Sequence, residues 1–140
     1  MSKQSMAAKN NTPVMERPAA VRNYLAGKLE NIPHEALCAI VLDSGHCVIG
    51  FEFLHHGSLD SFPEMQRSVV RRVLDHRNVA AVVFAHNDRS VESVDLVRQS
   101  ELDTMKSLKK SMSAIDVRVL DYFIVGGEGV AQSLAERGLL

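Results

Sequence analysis

Apolar positions recur along this chain with two periods, and the period changes several times. In "RPAAVRNYLAGKLENIP", Val21, Leu25 and Leu29 fall every four residues. That spacing makes one helix face; Pro18 suits a first turn and Pro33 a stop, so a helix is predicted over 18–31. "ALCAIVLDSGHCVIGFEFL" holds two apolar, partly β-branched runs around Asp43-Ser44-Gly45-His46, the signal of a hairpin. "FPEMQRSVVRRVLDHR" puts Met65, Val69, Val70, Val73 and Leu74 on one side of a second helix and arginines on the other. "NVAAVVFAH" is a continuous apolar run, the pattern of a strand buried on both faces. "SELDTMKSLKKSMSAI" predicts a third helix with Leu102, Met105, Leu108 and Met112 as its buried stripe. Ser100 and Asp103 have the spacing of a capping box. "VRVLDYFIVGG" is a strand ended by Gly126-Gly127, and "GVAQSLAERGLL" a short strand followed by a turn. The predicted order is αββαβαββ, an α/β domain of two or three layers. Strands at 37–43, 47–54, 79–86 and 117–125 share its mixed sheet.

Composition narrows the class. The 140 residues suit one domain with a core of its own, and 46% hydrophobic with 24% charged residues is ordinary for a globular protein. Sixteen basic and seventeen acidic residues nearly cancel, so no global field advertises nucleic acid or an anionic membrane. The head, residues 1–17, is polar and lacks the apolar core of a signal peptide. It is expected to be disordered, with the domain running from 18 to 140. No stretch has the apolar length of a membrane span, and residence in the cytoplasm is the expectation. Cys38 and Cys47 are too few for a disulfide framework and are read as buried free thiols.

Chemistry is sought where apolar strands end, because α/β folds place their sites at such edges. Glu52 lies within the apolar run "VIGFEFLHHG"; it is either an outward strand residue or a general base with a pKa raised by burial. His86 and Asp88, one residue apart at the end of "VVFAHND", point to one side of an extended segment and could grip one ion. The same triplet also reads as a hydrogen-bonded turn. Glu92, Asp95, Glu101 and Asp103 follow, in positions where carboxylates are ordinarily solvated or capping. His55-His56 reads as surface.

Taken together, "VLDSGHCVIGFEFLHHGSLDS", "VAAVVFAHN", "VRVLDYFIVGG" and "LAERGLL" resemble the RadC family of JAB/MPN (JAMM) domains over residues 18–140. The resemblance implies an MPN (JAB/JAMM, cytidine-deaminase-like) fold, a mixed β-sheet flanked by helices. It also implies a stand-alone domain without the helix-hairpin-helix region of full-length RadC proteins. Family members bind one zinc within H-x-H-P-S-G-x-x-x-P-S-x-x-D and hydrolyse amide bonds. Carried over, Glu52 matches the upstream glutamate that acts as base, His86 the first histidine and Ser90 the serine that steadies the oxyanion. Asp88 stands at the second histidine, Arg89 at the proline and Val91 at the glycine. Gln99 falls at the aspartate, leaving Glu101 or Asp103 as the third ligand after a longer loop.

One imidazole with two carboxylates brings a zinc site to zero net charge, so bound water is acidified less. Zinc binding is therefore expected to be weak or absent, and the site degraded. A non-catalytic or weakly active interaction module, with a protein or peptide partner, is the reading that follows. A metallopeptidase-type hydrolase with a variant zinc site is the alternative. A DNA-repair accessory role is a third, with only the Arg67, Arg71 and Arg72 helix face to support nucleic-acid contact.

Overall fold

The computed structural model describes residues 12–90, 97–127 and 130–140, with the backbone alone for residues 61–65. The elements are α1 (Pro18–Leu29), β1 (Ala36–Leu42), β2 (Val48–His56), a 3-10 turn (Leu59–Ser61), α2 (Phe62–Leu74), β3 (Ala81–Asn87), α3 (Gln99–Ala114), β4 (Arg118–Val125) and β5 (Ala131–Ser133). Their order is the predicted αββαβαββ. The strands form one five-stranded sheet in the order β2-β1-β3-β4-β5. β1 runs antiparallel to both β2 and β3, β3 and β4 are parallel, and β5 returns antiparallel to β4. This is a mixed sheet flanked by helices, as expected of the fold.

Alternation along the strands separates two cores. On one face Leu37, Ala39, Val82, Phe84 and Tyr122 pack against Val69 and Val73 of α2 and Met105, Leu108 and Met112 of α3. On the other, Cys38, Ile40, Ala85 and Phe123 meet Val21, Leu25 and Leu29 of α1. The domain thus has three layers, and every residue of β1 and β3 is buried. Such strands must be apolar throughout, which is why they read as unbroken runs.

Local detail departs from expectation in three places. Residues 13–15, read as part of the polar head, lie against the hairpin. Val14 bridges Cys47, Pro13 O accepts from Val48 N at 2.9 Å, and Met15 is 5% exposed. Burial of Met15 and two backbone bonds hold that segment along the hairpin; residues 1–11 lie outside the described residues. Leu74, placed on the buried side of the second helix, is exposed because α2 ends there, and the side chain of Met65 lies outside the described residues. The capping box does not form: α3 starts at Gln99 with Arg98 as its N-cap, and Asp103 instead accepts from Gln99 Nε2 at 2.8 Å. In the hairpin turn the left-handed residue is His46, φ 64°. Asp43 Oδ1 holds that turn by accepting from Gly45 N and Cys47 N, each at 2.9 Å. No helix among the described residues is long and apolar enough to cross a membrane.

Candidate metal centre

The register of β1 against β3 builds the site. Leu37 faces His86 and Ala36 faces Asn87, so the residue before β1, Glu35, arrives beside the residue after β3, Asp88. Asp88 N donates to Val125 O of β4 at 2.8 Å, extending β3 by one step. His86 is 2% exposed and lies on the face of Phe84, beneath the first turn of α3. Both its ring nitrogens meet carboxylates: Nδ1 lies 2.7 Å from Glu101 Oε2 and Nε2 lies 2.8 Å from Glu35 Oε2. Glu101 Oε1 accepts the Tyr122 hydroxyl at 2.7 Å. The network thus runs from the buried ring of Tyr122 through Glu101 and His86 to the partly exposed Glu35.

Asp88 closes the other side. Its Oδ1 accepts from Ser90 N at 3.0 Å and Ser90 Oγ at 2.6 Å, and its Oδ2 lies 3.3 Å from Arg98. The loop carrying Glu35 is fixed from below. Asn87 Nδ2 donates to Ile32 O and His34 O, both at 3.0 Å. Arg89 donates through Nε to Ile32 O at 3.1 Å and through a terminal nitrogen to Leu29 O at 3.0 Å. A guanidinium on the last carbonyls of α1 satisfies groups that the helix leaves unpaired and complements its dipole.

The electrostatics follow from these contacts. Burial pulls the His86 pKa down, but hydrogen bonds and charge from Glu101 and then Glu35 outweigh it and leave it raised. Burial pushes Asp88 up, and the two Ser90 bonds with the charges of His86 and Arg98 bring it below its ordinary value. Tyr122 is held far above its ordinary value by burial and by the Glu101 carboxylate it bonds.

Of the residues singled out in the sequence, His86, Asp88, Ser90 and Glu101 therefore converge, and two do not. Asp103 is exposed on the far side of α3. Glu52 shares the sheet face of His86, through its pairing with Ala39, but a strand lies between them. Its carboxylate is held by His76 Nε2 at 2.9 Å, with Arg72 at 3.9 Å. The carboxylates beside His86 are Glu35 and Glu101 instead. Ser90 Oγ, assigned to an oxyanion, donates to Asp88. His55 Nε2 pairs with Ser58 O and His56 with His34, and Cys38 is a buried free thiol while Cys47 is partly exposed. Val91, Glu92 and Asp95 lie outside the described residues.

Sequence reasoning missed Glu35, Asn87, Arg89 and Tyr122. For Glu35 a signal existed: an antiparallel partner for "NVAAVVFAH" would bring the start of "EALCAIVL" to the His86 end.

Among the described residues, Glu35, His86 and Asp88 offer donor atoms that all lie within 4.8 Å of one another. Three protein donors that leave a further position open suit a divalent cation, and a carboxylate on the second nitrogen of a ligating histidine is the usual support. The donor set therefore fits a dication, with a net site charge of zero.

Residues 15–139 match the family model for the RadC-like JAB domain. The chain belongs to that family. It is 38% identical to a UPF0758 protein of Azotobacter vinelandii over 100% of this chain and 61% of the relative. It is 43% identical to one from Stutzerimonas stutzeri over 89% of this chain and 54% of the relative. A third, from Pseudomonas fluorescens, is 43% identical over 99% and 60%. The RadC-like chain described here thus spans little more than half the length of these relatives.

Proposed function

We propose that this RadC-like JAB domain is a non-catalytic or very weakly active interaction module of the cytoplasm, engaging a protein or peptide partner. In this reading a hydrogen-bonded network occupies its former hydrolytic centre. One observation carries the proposal: the polar atoms of the centre already satisfy one another. Both nitrogens of His86, both oxygens of Glu101 and both oxygens of Asp88 have protein partners. A cation entering would have to displace the contact between His86 and Glu35, and to compete with Ser90 and Arg98 for Asp88. Ser90, the serine available for an oxyanion, is bound to a carboxylate that would have to release it.

The convergence of Glu35, His86 and Asp88 favours a second reading, a divalent-metal hydrolase of amide bonds with a variant centre. Those three residues would hold zinc, which would supply Lewis acidity. Glu101 would orient His86, and Arg89 and Asn87 would keep the Glu35 loop in place. Nucleic-acid contact has less support, since Arg72 of the arginine face donates to Phe53 O and approaches Glu52.

Metal analysis of protein purified without chelator, paired with peptide and isopeptide hydrolysis assays, separates the two readings. The network reading expects clearly less than one zinc per chain and no turnover. One zinc per chain with hydrolysis abolished by His86→Ala would establish the second.

A further inference from the structure

We infer that Arg98 is a built-in counter-cation of this centre: its guanidinium stands against Asp88 and keeps divalent ions out of the Glu35, His86 and Asp88 donor set by charge. This rests on the closed-network reading of the centre and names what closes it. Arg98 is the N-cap of α3, with an extended backbone at φ −71° and ψ 152°, and its side chain makes no capping hydrogen bond. Helix chemistry asks for the opposite kind of residue there. A short acceptor such as Ser or Asp would satisfy the unpaired N–H groups, and the positive end of the helix dipole disfavours a cation. What the Arg98 side chain does reach is Asp88 Oδ2, at 3.3 Å.

The placement is specific at both ends. Asp88 Oδ1 already accepts twice from Ser90, so Oδ2 is the oxygen left for a cation, and Arg98 faces that one. Glu101 follows Arg98 by three residues, the spacing of one helix face. One turn of α3 thus delivers a cation to Asp88 and a carboxylate to His86. Glu35, Asp88 and Glu101 bring three carboxylates to one histidine, a concentration of negative charge that attracts dications. Among the described residues, Arg98 is the one arginine or lysine paired with any of the three. Its contact is longer than the about 2.7–2.9 Å of a charge-assisted hydrogen bond, and its side chain is 51% exposed. It therefore acts as a nearby charge rather than a locked bond, and a dication must compete with it directly.

Zinc(II) titrations of the metal-free full chain, read by competition with a chromogenic chelator, test this. Arg98→Gln removes the charge from an exposed side chain with no cap to lose, and should raise zinc affinity on the order of tenfold at low salt. Arg98→Lys keeps the charge and should bind zinc like the unmodified protein. The ratio between Arg98→Gln and the unmodified protein should shrink as salt is raised, because salt screens an electrostatic barrier and not a steric one. Adding His86→Ala to Arg98→Gln should abolish the gain, which locates the ion at this centre. Unchanged affinity in Arg98→Gln, an equal gain in Arg98→Lys, or a gain that survives His86→Ala would overturn the inference. Tight zinc binding by the unmodified protein, tightened further by Arg98→Gln, would sink the closed-network reading and leave the role of Arg98 standing.

Discussion

Two histidine–glutamate pairs sit on the same face of this sheet, and they differ in almost everything but chemistry. His76 and Glu52 meet at 2.9 Å over the edge strand β2, with side chains 20% and 29% exposed. His86 and Glu101 meet at 2.7 Å under α3, both 2% exposed. The first pair ties the end of α2 to the sheet edge, and Gly50 leaves room for the His76 ring to lie on the strand. The second is the middle of a network buried on most sides. Identical functional groups thus serve as a surface clasp in one place and as a candidate centre in the other. Burial and convergence, rather than residue type, mark the difference, since an ion pair at the surface contributes little while a buried pair is costly to break.

The largest expected effect comes from breaking the buried pair. Glu101→Ala strands the His86 Nδ1 and the Tyr122 hydroxyl in the core, and should cost about 3–5 kcal/mol in urea unfolding. Glu52→Ala should cost about 0–1 kcal/mol, as expected of a partly exposed pair. Equal losses would erase the distinction between the two regions.

A second effect is pH dependence in metal-free protein. The folded pKa of His86 is raised above its ordinary 6.5, so the fold favours the imidazolium. That contribution is complete below the unfolded pKa and is lost as pH rises through the folded value, at about 1.4 kcal/mol per unit of separation. Urea midpoints of the unmodified protein should therefore fall as pH is raised above 6.5, and His86→Gln should remove this part of the slope. A slope unchanged by the substitution would assign it elsewhere.

The smallest effect belongs to the edge clasp. A Cβ at position 50 would stand 2.2 Å from His76 Cε1, so Gly50→Ala must displace the ring and open the contact with Glu52. The ring is at the surface and can swing outward, which limits the cost to about 1 kcal/mol, the low end for overpacking. The ring signals of His86 should not move in this variant. If they do, the two pairs are coupled across β1.

The same contrast explains what the amino-acid pattern made legible. β1 and β3 are buried on both faces and carry uninterrupted apolar runs, so their existence and type could be read directly. Val21, Leu25 and Leu29 fixed the face of α1 in the same way. Glu101 was also within reach of that logic: it precedes Met105 by four residues on the buried stripe, whereas Asp103 lies about 200° around the helix from Glu101. Glu35 was harder, because its importance depends on which strand pairs with which, and periodicity within one segment carries no such information. Glu52 attracted attention as a carboxylate in an apolar run, yet β2 is an edge strand whose residues are mostly half-buried. Arg89 replaces the signature proline of the family with a donor, and only the fold reveals that the α1 carbonyls are within its reach.

If the His86 network is complete without an ion, zinc should add almost nothing to the stability of the fold. Unfolding of the unmodified chain at neutral pH should be measured after exhaustive chelation and again with excess zinc(II). The two urea curves should nearly coincide, because the partners of His86, Glu101 and Asp88 are supplied by the protein. A resident cation bound in 100-fold excess over its dissociation constant would add about 2.7 kcal/mol. A gain of that size with zinc, abolished by His86→Ala, would show that the network is incomplete without an ion and make this a working metal centre.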